Sequence, residues 1–169
     1  MPEKKNLPKG GTETGSPNFA NTFHKHVMQG EFHGKQINGL HCLSATIAAG
    51  KAPEKANVVK DLRFPDVYMA DVTISGATKT GTFFPDTWSI DQVKAAVTDA
   101  WRDWHTFSAG PSSNIYDSLK KKYNLSWVGL ATCGAKNGGS QKIWIGARGA
   151  GDGDKPIITA FPAVNNKFF

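Results

Sequence analysis

An α+β fold is predicted, with helices first and twisted antiparallel sheets forming a cleft after them. Three observations predict it. A helical stripe with its own start signal runs over 89–104. A strand-like alternation runs over 66–76. The last third holds three apolar segments separated by Gly-rich turns. Helices ahead of hairpin-joined strands argue against a βαβ repeat.

In chain order, residues 1–16 read as a flexible arm or linker, rich in Gly, Pro, Lys and Thr. Residues 17–169 read as one domain. Ser16-Pro17 looks like an N-cap followed by proline at the first helical position. Phe19, Phe23 and Val27 recur at spacings of four, which predicts a helix ending near Gly30. "GKQINGLHCLSA" predicts a turn and a short strand, and "GKAPEKAN" a loop. "DVYMADVTISG" alternates as a strand, and "ATKTGTFFPD" is expected to turn away from it. Ser89 and Gln92 form a capping-box signal ahead of Ile90, Val93, Val97, Trp101 and Trp104 on one helical face. A second, more basic helix is expected over 112–123. "SWVGLATC", "KIWIGARG" and "IITAFPAV" are the closing strands.

Lys and Arg number 20 against 14 acids, a net charge of +6 that suits an anionic partner. The lysines are dispersed, and the densest run, "LKKKY", reads as a solvated helix face. No window is apolar enough for a membrane span, and the N-terminus has no signal-peptide core. Release as part of a longer polypeptide is compatible with that. Cys42 and Cys133 make no CxxC pair and no framework. Both are read as buried small apolar residues, with a single disulfide as the alternative.

Four of the five histidines, His24, His26, His33 and His41, lie between positions 24 and 41. Zinc is one use for them, with Cys42. On a helix, however, residues two apart diverge, so His24 and His26 cannot chelate together. Neither a metal nor a cofactor is expected. Acid–base chemistry is the other use. Two imidazoles with ordinary pKa near ~6.5 can take and give protons around neutrality. RNA suits such a pair because its own 2′-OH is the nucleophile, and a lysine can oppose the charge that develops on phosphorus. His24, His33 and His105 are read as surface or structural residues.

Four stretches favour the second use: "HVMQGE" at 26–31, "GLH" at 39–41, "KTGTFFPDTWS" at 79–89 and "IITAFP" at 157–162. In that order and register they resemble the bacterial EndoU family of uridylate-preferring endoribonucleases. That family includes toxin domains at the end of contact-dependent growth-inhibition proteins. The resemblance implies the compact fold of barnase-like and EndoU-like ribonuclease toxins. It implies His26 and His41 as the acid–base pair, with His41 as base and His26 as acid. Lys79 becomes the phosphate-side cation, and Thr159 a hydroxyl at the scissile phosphate. Phe161 stands where many relatives place a tyrosine against the base; it keeps the stacking face and loses the hydroxyl. Phe83 occupies the place of a base-reading serine in the viral branch. Phe83, Phe84 and Trp88 otherwise read as aromatic packing that turns the chain into the following helix.

The implied activity is metal-independent cleavage of RNA, tRNA among the candidate substrates, to a 2′,3′-cyclic phosphate and a 5′-OH. The implied setting is a toxin released or surface-delivered within a larger bacterial protein. It would act in the cytoplasm of a target cell and be held in check by an acidic immunity protein. The alternatives are a non-catalytic basic RNA-binding module and a zinc-dependent hydrolase.

Overall fold

The computed structural model describes residues 11–12, 15–105, 125–132 and 142–166. Among the described residues, two five-stranded sheets carry the fold. The first is assembled from β1 (Gly11–Thr12), β7 (Asp103–His105), β8 (Trp127–Thr132), β9 (Lys142–Arg148) and β10 (Thr159–Pro162), in that spatial order. The second has the order β2 (Glu31–His33), β3 (Gln36–Asn38), β6 (Ala77–Phe83), β5 (Tyr68–Ile74) and β4 (Glu54–Lys60). Its β3–β6 pairing is parallel and its other pairings are antiparallel. Among the described residues the helices are α1 (Ser44–Ala48) and α2 (Ile90–Arg102), with a π-helical turn at Lys25–Gln29 and a 3-10 turn at Val164–Asn166. The mixed α+β class holds, but in the described part of the first half strands outnumber helices.

Helix α2 begins as its sequence predicts. The Ser89 N–H donates to Gln92 Oε1 at 2.8 Å, and the Gln92 N–H donates to Ser89 Oγ at 3.2 Å. Val93, Ala96, Val97, Ala100 and Trp101 are buried and join Trp127, Ile143, Ile145 and Ala147 of the first sheet in the main core. The indole N–H groups of Trp101 and Trp127 donate to the carbonyls of Ala150 and Gly149, so neither large ring is buried with an unmet donor. The predicted stripe runs one residue pair too far. Trp104 lies on β7, where it pairs with Gly129.

The helix expected from Pro17 is mostly absent. Asn18 and Ala20 instead give their N–H groups to the carbonyls of Gly151 and Ile157, and Phe19 forms an isolated parallel bridge with Ile157. A distant loop has claimed the backbone groups that a helix would have used. Phe23 and Val27 are still buried, as their spacing predicts.

Residues 77–83 do not turn away from β5 but fold straight back along it. Ser75 and Gly76, at φ 51° and 83°, make a two-residue hairpin of the kind that matches strand twist. The returning strand is threonine-rich. Thr80 donates to the Asp71 carboxylate, and Thr73 and Thr78 share a 3.1 Å bond. Strand β4 replaces part of an expected loop. It is exposed along its whole length and owes its form to pairing with β5. The helix expected over 112–123 and Cys133 lie outside the described residues. Cys42 is buried with a free thiol.

Candidate active site

Backbone hydrogen bonds bring the two motif histidines together. The Leu40 N–H donates to the His26 carbonyl at 2.7 Å. The His41 and Cys42 N–H groups both donate to the Val27 carbonyl, at 2.7 and 3.2 Å. This clamp is tight at Gly39. A Cβ there would lie 2.4 Å from the His26 carbonyl oxygen and 3.0 Å from its ring, and the φ of 70° disfavours any side chain. Leu40 follows at φ 65°, an uncommon backbone state for a non-glycine residue. On the far side, Phe84 N–H donates to the His41 carbonyl at 2.7 Å. The two imidazole centroids end 6.3 Å apart with their planes tilted by 45°.

Lys79 enters from β6. Its ammonium donates to the carbonyls of Gly39 and Leu40, so it is tied to the loop that carries His41. It is largely enclosed, and burial pushes its pKa down to about 7. Phe161 enters from β10 and stacks on His41, with ring centroids 5.1 Å apart and an interplanar angle of 29°. Thr159 lies two residues earlier on the same strand, hence on the same sheet face. Its cross-strand partner on β9 is Arg148. All five residues expected at a site, His26, His41, Lys79, Thr159 and Phe161, therefore sit on elements that meet around His41.

His41 has a defined proton arrangement. Its Nδ1 lies 3.2 Å from the Thr82 carbonyl oxygen. A carbonyl can only accept, so Nδ1 carries the proton and Nε2 keeps its lone pair. Burial, and then the Lys79 charge, hold its pKa well below the ordinary histidine value, against the opposing effect of the Thr82 carbonyl. His26 is shifted in the same direction. Burial dominates, Glu31 opposes it, and the charges of Arg148 and Lys79 add to it. A neutral imidazole with a free Nε2 is a competent base near neutral pH.

Three buried side-chain atoms among the described residues have no hydrogen-bond partner: Thr82 Oγ1, Arg148 Nε and Thr159 Oγ1. All three belong to this neighbourhood. Thr82 holds His41 through its carbonyl, Thr159 precedes Phe161, and the Arg148 charge reaches His26. A buried polar group left unmatched costs roughly 1–3 kcal/mol. Such groups are common where a ligand completes the set.

The remaining sequence candidates separate from the site. His24 and His33 are exposed, and His33 lies 3.8 Å from the Glu31 carboxylate. The His105 side chain lies outside the described residues. Among the described residues, no group of three or more His, Cys, Asp or Glu side chains is placed to hold a metal ion.

Phe83 is wholly buried and stacks on Tyr68, and Phe84 stacks on Trp88. Phe84 and Trp88 pack the core at the start of α2, as their packing reading has it, whereas Phe83 belongs to the separate cluster of the second sheet with Leu40, Leu43 and Val72. Arg148 is the residue that sequence reasoning missed. A single arginine before a Gly-rich turn carries no local signal; only its register opposite Thr159 marks it.

Among the described residues, no helix is long and apolar enough to cross a membrane. Searches of curated proteins and of solved structures found no match. Comparison with protein-family models did find one, bacterial EndoU nuclease, over residues 21–164. The matched span contains both histidines, Lys79, Arg148, Thr159 and Phe161, and on that match the chain belongs to the bacterial EndoU nuclease family.

Proposed function

We propose that this nuclease is a metal-independent RNA endonuclease in which His41 and His26 move the protons and Lys79 and Thr159 hold the phosphate. The observation that carries the reading is the state of His41. Its Nδ1–H is committed to the Thr82 carbonyl, its Nε2 is free, and a second imidazole stands 6.3 Å away, centroid to centroid. His41 Nε2 takes the proton of the ribose 2′-OH as that oxygen bonds to phosphorus. His26, as the imidazolium, gives a proton to the departing 5′-oxygen; an arriving phosphate favours that charged form against the burial that lowers its pKa. The phosphorane between these events is more negative than the starting diester, and the Lys79 ammonium opposes that excess. An arriving phosphate favours the charged form of Lys79, against the burial that lowers its pKa. The products are a 2′,3′-cyclic phosphate and a 5′-OH. Stacking on the Phe161 ring is tolerant of base identity, so shape and phosphate contacts of the whole RNA select the substrate.

The biological reading follows the family resemblance and the basic balance of the chain. The nuclease is a toxin carried within a larger bacterial protein and acts in the cytoplasm of a target cell, with tRNA as a candidate substrate. An acidic immunity protein covers the cleft in the producer.

Incubating the purified chain with total RNA in excess EDTA and mapping the cut ends tests the chemistry. Cyclic phosphate and 5′-OH ends are expected. RNA that is bound but left uncut, or cleavage that stops with EDTA and returns with zinc, overturns the reading.

A further inference from the structure

We propose that Arg148 is a second phosphate-binding cation of this site and that, with Thr159, it forms a seat for the non-bridging phosphate oxygens. The inference rests on the RNA-cleaving reading for its substrate, but it is carried by its own observations.

Arg148 and Thr159 are direct partners in the antiparallel β9–β10 pair. Side chains at such a register share one face, with Cβ atoms roughly 5 Å apart. That face also carries Phe161, which stacks on His41. The Arg148 Nε–H is buried with no acceptor, and the Thr159 hydroxyl, in a residue 7% exposed, is buried with no partner. Two cross-strand partners therefore each bury a donor that no protein acceptor meets among the described residues. No carboxylate forms an ion pair with Arg148 among the described residues. An arginine that only braced a sheet would be expected to spend Nε–H on a carbonyl or a carboxylate. This one keeps it free close enough to His26 for its charge to disfavour the imidazolium.

The missing partner is an anion with several acceptor oxygens. A phosphate ester meets that description, and a guanidinium matches it as a planar fork. The division of labour with Lys79 supports this. Two of the three ammonium donors of Lys79 are already spent on the Gly39 and Leu40 carbonyls. One remaining donor cannot fix the orientation of a tetrahedral group. Arg148 and Thr159 supply the further contacts from the first sheet, across from β6.

The test uses the full chain and inorganic phosphate. The Arg148 Nε–H resonance and the His26 and His41 ring resonances are followed during phosphate titration of the wild type, Arg148→Lys and Arg148→Gln. Phosphate should shift the Arg148 Nε–H signal in the wild type. Its affinity should fall at least tenfold in Arg148→Gln and less in Arg148→Lys, which keeps the charge and loses the fork. Without phosphate, the His26 pKa should rise in Arg148→Gln.

Phosphate that shifts the histidines but leaves the Arg148 Nε–H signal unmoved overturns the inference, and this arm needs no variant to fold. So does Arg148→Gln with wild-type phosphate affinity. RNA cleavage assayed alongside separates the two ideas. A wild type that binds phosphate through Arg148 but cuts no RNA removes the ribonuclease reading and leaves the seat. Wild-type cleavage and phosphate binding by Arg148→Gln remove the seat and leave the ribonuclease.

Discussion

Asp61 and the histidine site both withdraw polar groups from water, and they do so in opposite ways. Asp61 is 1% exposed and fully matched. It accepts from the N–H groups of Arg63 and Phe64, each at 2.9 Å, and from that of Asn165 at 2.7 Å. Those bonds tie the loop after β4 to the turn at Val164–Asn166. Around His41, by contrast, three buried polar atoms are unmatched, the lysine is held near its point of deprotonation, and both imidazoles are biased toward neutrality. A saturated buried group stabilises the fold. An unsaturated cluster costs stability, a cost that functional sites are known to carry.

That contrast is broken or sharpened by substitution. The largest effect is expected at the histidines. His41→Ala and His26→Ala should each lower RNA cleavage by ~10²–10⁴-fold with unfolding little changed. The exposed His24→Ala and His33→Ala should stay near wild type. Loss of activity in His24→Ala with retention in His26→Ala would move the acid–base role from His26 to His24.

Lys79→Met comes next, with two opposed results. Single-turnover cleavage should drop by ~10²–10³-fold as the charge facing the phosphorane is lost. Stability at neutral pH should rise by on the order of 2 kcal/mol, less than the pKa shift alone implies because two carbonyls lose their donor. The sign follows from protons bound. Between about 7, the folded value, and the ordinary 10.5, the unfolded lysine holds a proton that the folded one has released. Wild-type stability therefore rises with pH across that window, and Lys79→Met should flatten the slope in denaturant titrations at several pH values.

Asp61→Ala is the reverse case. It should cost ~2–4 kcal/mol by stranding N–H groups, while cleavage per folded molecule stays near wild type. A proportionate loss of specific activity would dissolve the distinction between the two regions.

Thr159 separates them within one residue. Thr159→Val deletes an unmatched hydroxyl, so it should hold or slightly raise the melting temperature while cutting activity roughly tenfold. Thr159→Ser should keep most of the activity. A Val variant as active as wild type removes Thr159 from the site.

The smallest effect is the acid limb of stability. His41 has a depressed folded pKa, so its stabilising contribution is present above about 6.5, the unfolded value, and is lost as pH falls through the folded value. The share from His41 should stay below about 1.4 kcal/mol per pH unit and should be lost in His41→Gln, leaving the share from His26, whose pKa is lowered in the same direction.

The sequence by itself determined the α+β class, the start and cap of α2, the closing strands and the register of the family motifs. Each of these is written locally. A capping box lies within four residues, a helical stripe repeats every turn, and the motif register is a matter of counting. Tertiary structure alone decided what depended on a distant partner. Phe19 lies in an extended stretch because Ile157 bridges it. Strand β6 forms because Asp71 and Thr73 bind its threonines. Strand β4 forms because β5 pairs with it. The same holds for the chemistry. Clustered histidines are visible in one dimension, but the proton on His41 Nδ1 is assigned by a Thr82 carbonyl forty-one residues away. Arg148 is an ordinary arginine until β10 lays Thr159 beside it. Burial and unmet hydrogen bonds are properties of what surrounds an atom, and the chain supplies those surroundings only when it folds.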